Sequence, residues 1–137
     1  MWALFALFSA LFAALTSILA KIGIEKVDSN LATAIRTIVV VVLAWVMVFV
    51  TKAQGGIQEI SRRSLLFLVL SGIATGLSWL CYFRALQMGP ASKVIPIDKS
   101  SVVFGMILAF VVLRETLTVK SVIGGVLIAA GTFVLIF

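Results

Sequence analysis

Five long apolar runs dominate this 137-residue sequence, and their length limits the folds that it can adopt. A helix needs about 20 mostly apolar residues to cross the hydrocarbon core of a membrane. The runs that meet this requirement are Met1–Ile24, Leu31–Thr51, Ser64–Met88, Val94–Leu113 and Val119–Phe137. Because they are continuously apolar and do not alternate, they favour helices over a membrane β-barrel. The sequence therefore predicts an all-α membrane protein, a bundle of five transmembrane helices.

Composition excludes several classes of function. Hydrophobic residues make up 63% of the chain and charged residues 12%, whereas soluble domains have about 45–50% and about 25%. With no histidine and a single cysteine, Cys81, the chain offers no intrachain disulfide, no cysteine-based metal site and nothing that resembles a nucleophile with its base. We therefore expect neither an enzyme nor a bound cofactor. The net charge of +6 is attributed to lipid headgroups and membrane topology, and not to nucleic acid.

Charged side chains inside the apolar runs are the strongest functional signal, because charge is costly in a membrane. These are Arg36 in the second run, Arg84 in the third, and Asp98 and Lys99 in the fourth. Counted from the helix ends on one side, all lie roughly 7–9 Å deep at 1.5 Å per residue. The sequence thus predicts one polar layer that binds substrate or a coupling ion. Snorkelling of the basic side chains to headgroups is the alternative, but the short side chain of Asp98 cannot snorkel far.

The expected partners of Asp98 come from other helices. Consecutive residues on a helix point about 100° apart, so Asp98 and Lys99 are not expected to pair with each other. Asp98 is expected to meet Arg36 or Arg84 instead. Pro96 is expected in the first turn of the fourth span, where its missing N–H costs little.

The third run carries polar residues at helical spacing. Ser71, Thr75, Ser78 and Tyr82 form one stripe, with Trp79 beside it. Trp79, Tyr82 and Ser78 are predicted to line a substrate pocket, and Ser100 and Ser101 to extend it on the fourth run. The alternative is ordinary hydrogen bonding and packing between helices, which is equally compatible with Ser71 and Thr75.

Small residues recur every four positions and predict close helix packing. Gly72 and Gly76 do so in the third run, Gly105 and Ala109 in the fourth, and Ser121, Gly125 and Ala129 in the fifth. Packing within the chain is favoured over a dimer seam.

The distribution of Lys and Arg gives no clear orientation in the membrane. The loops on the side of the N-terminus carry five and those on the opposite side three, or six when the basic residues inside the spans are counted. This balance is compatible with insertion in both orientations, which would let two identical chains pack antiparallel, as inverted repeats do within one chain.

Three segments resemble one known transporter repeat. The segment "PIDKSSVVFGMILAFVVLRETLTVKSVIGGVLIAAGTFVLIF" resembles the C-terminal half of an EamA-type repeat of the drug/metabolite transporter superfamily, with Pro96, Glu115 in the "RETLT" turn and the "GGVLIAAG" span. "YFRALQMGPASKVIPIDK" resembles the link between its third and fourth spans, and "LATAIRTIVVVVLAW" its second span. The segment "PIDKSSVV" and the five-span length of the chain are most similar to the short five-span bacterial/archaeal transporter (BAT) group.

The resemblance implies a single EamA-like transmembrane domain over residues 1–137 in the inner membrane. Larger relatives carry two such repeats in opposite orientation, so this chain is expected to work as a homodimer that moves a small-molecule substrate. Small multidrug exporters, which are more distant, use an acid in the first span; that span has none here. Asp98 is therefore the candidate coupling carboxylate. The alternatives are a membrane scaffold or accessory subunit and, second, a channel.

Overall fold

The computed structural model describes all residues from 1 to 137 and contains helices but no strand. The α-helices are α1 (Trp2–Gly23), α2 (Ser29–Val50), α3 (Arg62–Met88), α4 (Ala91–Lys99), α5 (Ser101–Leu113) and α6 (Val119–Ile136). A 3-10 helix, Ala53–Glu59, connects α2 and α3.

Five segments are long and apolar enough to cross a membrane, as the sequence predicts. Four of them are the single helices α1, α2, α3 and α6, and the fifth, Ala91–Leu113, combines α4 and α5. The chain is therefore a multi-pass, all-α membrane protein.

Side-chain caps fix where two of these helices begin. The carboxylate of Asp28 accepts hydrogen bonds from the backbone N–H groups of Asn30 and Leu31, at 2.9 and 3.2 Å, and so starts α2. The hydroxyl of Thr118 accepts from the N–H of Ser121 and starts α6. Such caps satisfy N–H groups that have no partner within the helix.

The fourth span is interrupted, which the apolar pattern of the sequence does not indicate. Its helix α4 begins at Ala91, so Pro96 lies inside the helix and the expectation of a first-turn proline was wrong. The helix ends at Lys99, and α5 starts two residues later. At the junction, the N–H of Ser100 bonds to the carbonyl of Ile97, three residues back, in the tighter 3-10 pattern. The span is thus two short helices joined at Ser100.

The chain divides into two compact units. One comprises residues 18–87. The side chains with the lowest exposure there come from the end of α1, the start of α2 and the end of α3: Ala20, Ile24, Ser29, Ala32, Thr33, Phe83 and Leu86. Most of the apolar surface of α3 outside that region is exposed, as a helix surrounded by lipid requires.

The other unit comprises residues 1–17 and 88–137, in which α4 and α5 both pack on α6. Gly125 of α6 is buried, and a Cβ placed there would lie 3.0 Å from the sulfur of Met106 on α5. The predicted role of Gly125 in close helix packing agrees with this contact. Three glycines of the small-residue pattern do not show such a contact within the chain, since Gly72, Gly76 and Gly105 face open space. Ala129 of α6 lines a cleft to which α4 and α5 also contribute.

Candidate functional site

Arg36 lies on α2, about 10 Å from the start of the helix. Its guanidinium stacks on the ring of Phe83 of α3, with the central carbon 4.0 Å from the ring centre. Tyr82 also interacts electrostatically with it and packs edge-on against Phe83 at 5.3 Å between ring centres. The residue is half-buried, and its Nη1 atom is buried with no hydrogen-bond partner. Stacking stabilises the cation, but an unpaired buried N–H still costs about 1–3 kcal/mol.

A cleft of about 560 Å³ runs between α2 and α3 beside this pair. From α3, the predicted pocket residue Trp79 lines it together with Ser71, Thr75 and the two glycines Gly72 and Gly76. Of the predicted polar stripe, Ser71 and Thr75 line the cleft, whereas Ser78, which is exposed, and Tyr82 do not. The two glycines widen the cleft, since they add no side chain to its wall.

The α2 wall of the cleft carries polar residues that the sequence analysis did not select. They are Asn30, Thr33 and Thr37. Thr33 and Thr37 follow i, i+4 spacing, and this was the only sequence signal by which they could have been found. The cleft therefore combines hydroxyl and amide groups with apolar walls, a composition typical of small-molecule sites.

A second group of polar contacts ties the α1–α2 turn to the end of α3. The side-chain amide of Gln87 donates to the carbonyls of Ile24 and Val27, at 3.2 and 2.9 Å. Its oxygen accepts a 2.9 Å hydrogen bond from Arg84, whose side chain is exposed. The ammonium of Lys21 donates to the carbonyl of Leu86. Arg84 therefore belongs to a structural network around Gln87 in this chain.

Asp98 and Lys99 lie at the end of α4, next to the helix interruption. Lys99 Nζ is 3.6 Å from Asp98 Oδ2, so the expectation that these neighbours do not pair was wrong. The lysine stem is long enough to bend back across the angle between the two positions. Their side chains are 54% and 37% exposed, so the pair is open to a ligand or a partner chain. The predicted contact of Asp98 with Arg36 or Arg84 stays a prediction.

The interruption itself is stabilised from α6. Because the N–H of Ser100 turns to Ile97, the carbonyl of Pro96 loses its usual partner four residues on. The hydroxyl of Thr132 on α6 donates to this carbonyl at 3.4 Å. Ser100 also donates through its own hydroxyl to Ile97 at 2.6 Å. Broken helices in membranes are tolerated only where other groups satisfy the freed backbone atoms in this way. Ser101, also predicted in the pocket, is exposed at the first position of α5.

The predicted site residues thus form two groups. The first group lies within residues 18–87: Trp79 lines the α2–α3 cleft, and Arg36 and Tyr82 lie beside it, next to Phe83. Asp98, Lys99, Ser100 and Ser101 follow one another at the junction of α4 and α5.

Comparison with known proteins places these features in a family. The EamA-like transporter family matches residues 1–137, which is the whole chain. The chain belongs to the EamA-like transporter family. A relative from Sinorhizobium sp., named "Uncharacterized transporter in cobO 3'region", is 45% identical over 134 residues. The match covers 98% of this chain and 95% of the relative, so the relative is a similarly short protein. No solved structure matches the chain significantly. The sequence-based assignment to this family is confirmed.

Proposed function

We propose that this protein is a secondary transporter of small polar metabolites in the inner membrane, working by alternating access. Family membership and a relative named as a transporter support the general activity. The observation that carries the proposal is the broken fourth span, with an ion pair at the end of its first helix, α4. In transporters, interrupted helices supply backbone and charged groups at the binding site, and ionisable residues within spans mark the path of substrates or protons.

Asp98 is the coupling carboxylate in this proposal. Its ion pair with Lys99 holds one negative charge against one positive charge at the helix interruption. Protonation of Asp98 removes the negative charge and leaves Lys99 without its ionic partner. A proton on Asp98 and a charged substrate group on Lys99 can therefore replace this ion pair alternately, and proton coupling requires such alternation.

The working unit is an antiparallel homodimer of two oppositely inserted copies. A single repeat supplies half of the inverted pair that larger transporters contain. The weak bias of the basic residues, five on one side against three or six on the other, supports insertion in both orientations. The open faces of Gly72 and Gly76 leave room for a neighbouring helix or for substrate.

Proton flux tests the role of Asp98. Proteoliposomes filled with a pH-sensitive dye are exposed to a panel of small polar metabolites, and proton entry is followed. The wild-type protein should give substrate-dependent flux, and Asp98→Asn should reduce it to that of protein-free liposomes. Asp28→Asn is the matched control, since asparagine caps a helix as well as aspartate and the flux should persist.

The same variants distinguish the rival function. If Asp98→Asn breaks the oligomer while the wild-type protein moves no metabolite, the protein is a membrane scaffold and the transport proposal fails. Flux that persists in Asp98→Asn rejects the coupling role but keeps transport. Conductance without saturation would identify a channel.

Reporter fusions after Phe137 test the dimer. One reporter is active only in the cytoplasm and the other only outside the inner membrane. Signal from both supports insertion in two orientations, whereas signal from one alone contradicts the antiparallel homodimer.

A further inference from the structure

The guanidinium of Arg36 is a partly buried cation between α2 and α3 that forms no ion pair. Its Nη1 atom is buried and makes no hydrogen bond, although its face is covered by Phe83. The buried hydroxyl oxygen of Ser29, two turns earlier on the same face of α2, also has no partner. Buried polar atoms are nearly always satisfied, so such orphans indicate a missing occupant. Since Arg36 is only half-buried, part of its side chain is open to an occupant, although Nη1 itself is not.

The hydroxyl groups of the adjoining cleft restrict what that occupant can be. Thr33 donates its hydroxyl proton to the carbonyl of Ser29 at 2.7 Å, Thr37 to that of Thr33 at 2.8 Å, and Thr75 to that of Ser71 at 2.9 Å. Each hydroxyl has one proton, so these side chains offer only acceptor lone pairs to a ligand. The cleft wall therefore suits a ligand that brings its own O–H or N–H donors.

The two observations come from neighbouring positions: Arg36 does not itself line the cleft, but it borders residues that do. Arg36 adjoins Thr37 in sequence and lies three residues after Thr33, and Phe83 lies one turn beyond Trp79, which lines the cleft. We propose that the α2–α3 cleft binds a small solute with an oxyanion, a carboxylate or a phosphate, on Arg36 and with an O–H or N–H donor against the threonines. This rests on the proposed transport function only in calling the ligand a substrate; the binding site stands without it. Arginine suits the role because its planar fork matches both oxyanions.

Fluorescence of Trp79 provides a direct binding assay. Trp2 and Trp45, which lie on exposed surface, are replaced by phenylalanine so that Trp79 is the single reporter. The ligands share a four-carbon skeleton: 3-hydroxybutyrate carries both groups, butyrate only the anion, and 3-hydroxybutyramide only the donor. Glycerol 3-phosphate tests a soluble phosphate, and phosphatidylglycerol in bicelles tests a lipid headgroup.

We expect 3-hydroxybutyrate or glycerol 3-phosphate to bind saturably. We expect 3-hydroxybutyrate to bind about ten-fold or more tightly than 3-hydroxybutyramide, which is the gain expected from one charge-assisted hydrogen bond. Arg36→Gln should remove this preference. Arg63→Gln is the matched control, since Arg63 also lies over a phenylalanine ring, Phe67 at 6.0 Å, but at the start of α3, sixteen residues before Trp79. Thr33→Val with Thr37→Val should abolish the preference for 3-hydroxybutyrate over butyrate.

Equal binding of acid and amide by the wild-type protein overturns the inference, and so does a preference that survives in Arg36→Gln. If Arg36→Gln does not fold, Arg36→Lys replaces it and should weaken the preference, because lysine keeps the charge but loses the fork. Binding of phosphatidylglycerol alone overturns the assignment to a soluble ligand. Oxyanion binding without uptake into proteoliposomes keeps this site but rejects the transport proposal. Uptake of amides or amines that is indifferent to Arg36 keeps transport and rejects this site.

Discussion

Gln87 should contribute more to stability than its position in an apolar helix suggests. Its amide nitrogen supplies hydrogen bonds to the carbonyls of Ile24 and Val27 in the α1–α2 turn, 63 and 60 residues away in sequence. Gln87→Leu removes both bonds and leaves two carbonyls to find other donors. At about 0.5–1.5 kcal/mol per bond, we expect the free energy of unfolding to fall by about 1–3 kcal/mol. The bond from exposed Arg84 adds little.

Unfolding in dodecyl maltoside with increasing sodium dodecyl sulfate, followed by helical circular dichroism, measures this loss. Gln58→Leu is the control, because Gln58 is an exposed residue of the 3-10 helix and should change stability little. Gln87→Glu tests the cause, since a carboxylate keeps the contact with Arg84 but cannot donate to the two carbonyls. It should be as destabilised as Gln87→Leu. Wild-type stability of Gln87→Glu would refute the argument that the donated bonds matter.

Three further changes test packing around the two groups of site residues. Gly76→Leu should fold with an unchanged melting temperature, because a Cβ there meets nothing within 4 Å. It should reduce substrate uptake, because the leucine side chain fills the cleft. Normal uptake by this variant would exclude the cleft from the substrate path. Gly125→Val should lower the free energy of unfolding by about 1–3 kcal/mol, because the valine collides with Met106. Adding Met106→Ala to this variant should restore the lost stability. If the double variant is as unstable as Gly125→Val alone, the contact is contradicted. Thr132→Val keeps the side-chain shape but leaves the Pro96 carbonyl unpaired, so unfolding should become easier by about 0.5–1.5 kcal/mol; no loss would show that the long bond is unimportant.

The spans were predictable because membrane thickness fixes their length, and apolar runs of that length are visible in the sequence. The ends of α2 and α3 lie within two residues of the run boundaries. The interruption of the fourth span was not predictable from the same signal. The continuously apolar run starts only at Val94, but the helix begins at Ala91 because Ser92 and Lys93 are compatible with a helix next to Pro90. This difference of three residues moves Pro96 out of the first turn.

The site was only partly visible for a different reason. Charge inside an apolar run identifies Arg36, Asp98 and Lys99, because the free-energy cost of a charge in the membrane arises at the residue itself and is visible in the sequence. Which of these charges finds a partner depends on side-chain reach and on contacts between distant segments. Lys99 reaches back to its neighbour, and Gln87 bonds to carbonyls from another turn. A lone glutamine near a turn carries no periodic pattern, so nothing in the sequence singled it out.

These pairings indicate which basic residue within the spans is available to bind an anionic ligand. Asp98 is balanced by Lys99, and Arg84 bonds to the neutral amide of Gln87. The side chain of Arg36 lies against the ring of Phe83, and its buried nitrogen lacks an acceptor. In an antiparallel homodimer, a two-fold axis in the membrane plane relates the two copies of Arg36. Because each lies about 10 Å from one end of a helix about 33 Å long, the two copies lie on opposite sides of the membrane midplane, each about 6 Å from it. Such a dimer offers an oxyanion one arginine from each side, which is the arrangement that alternating access between two identical protomers requires.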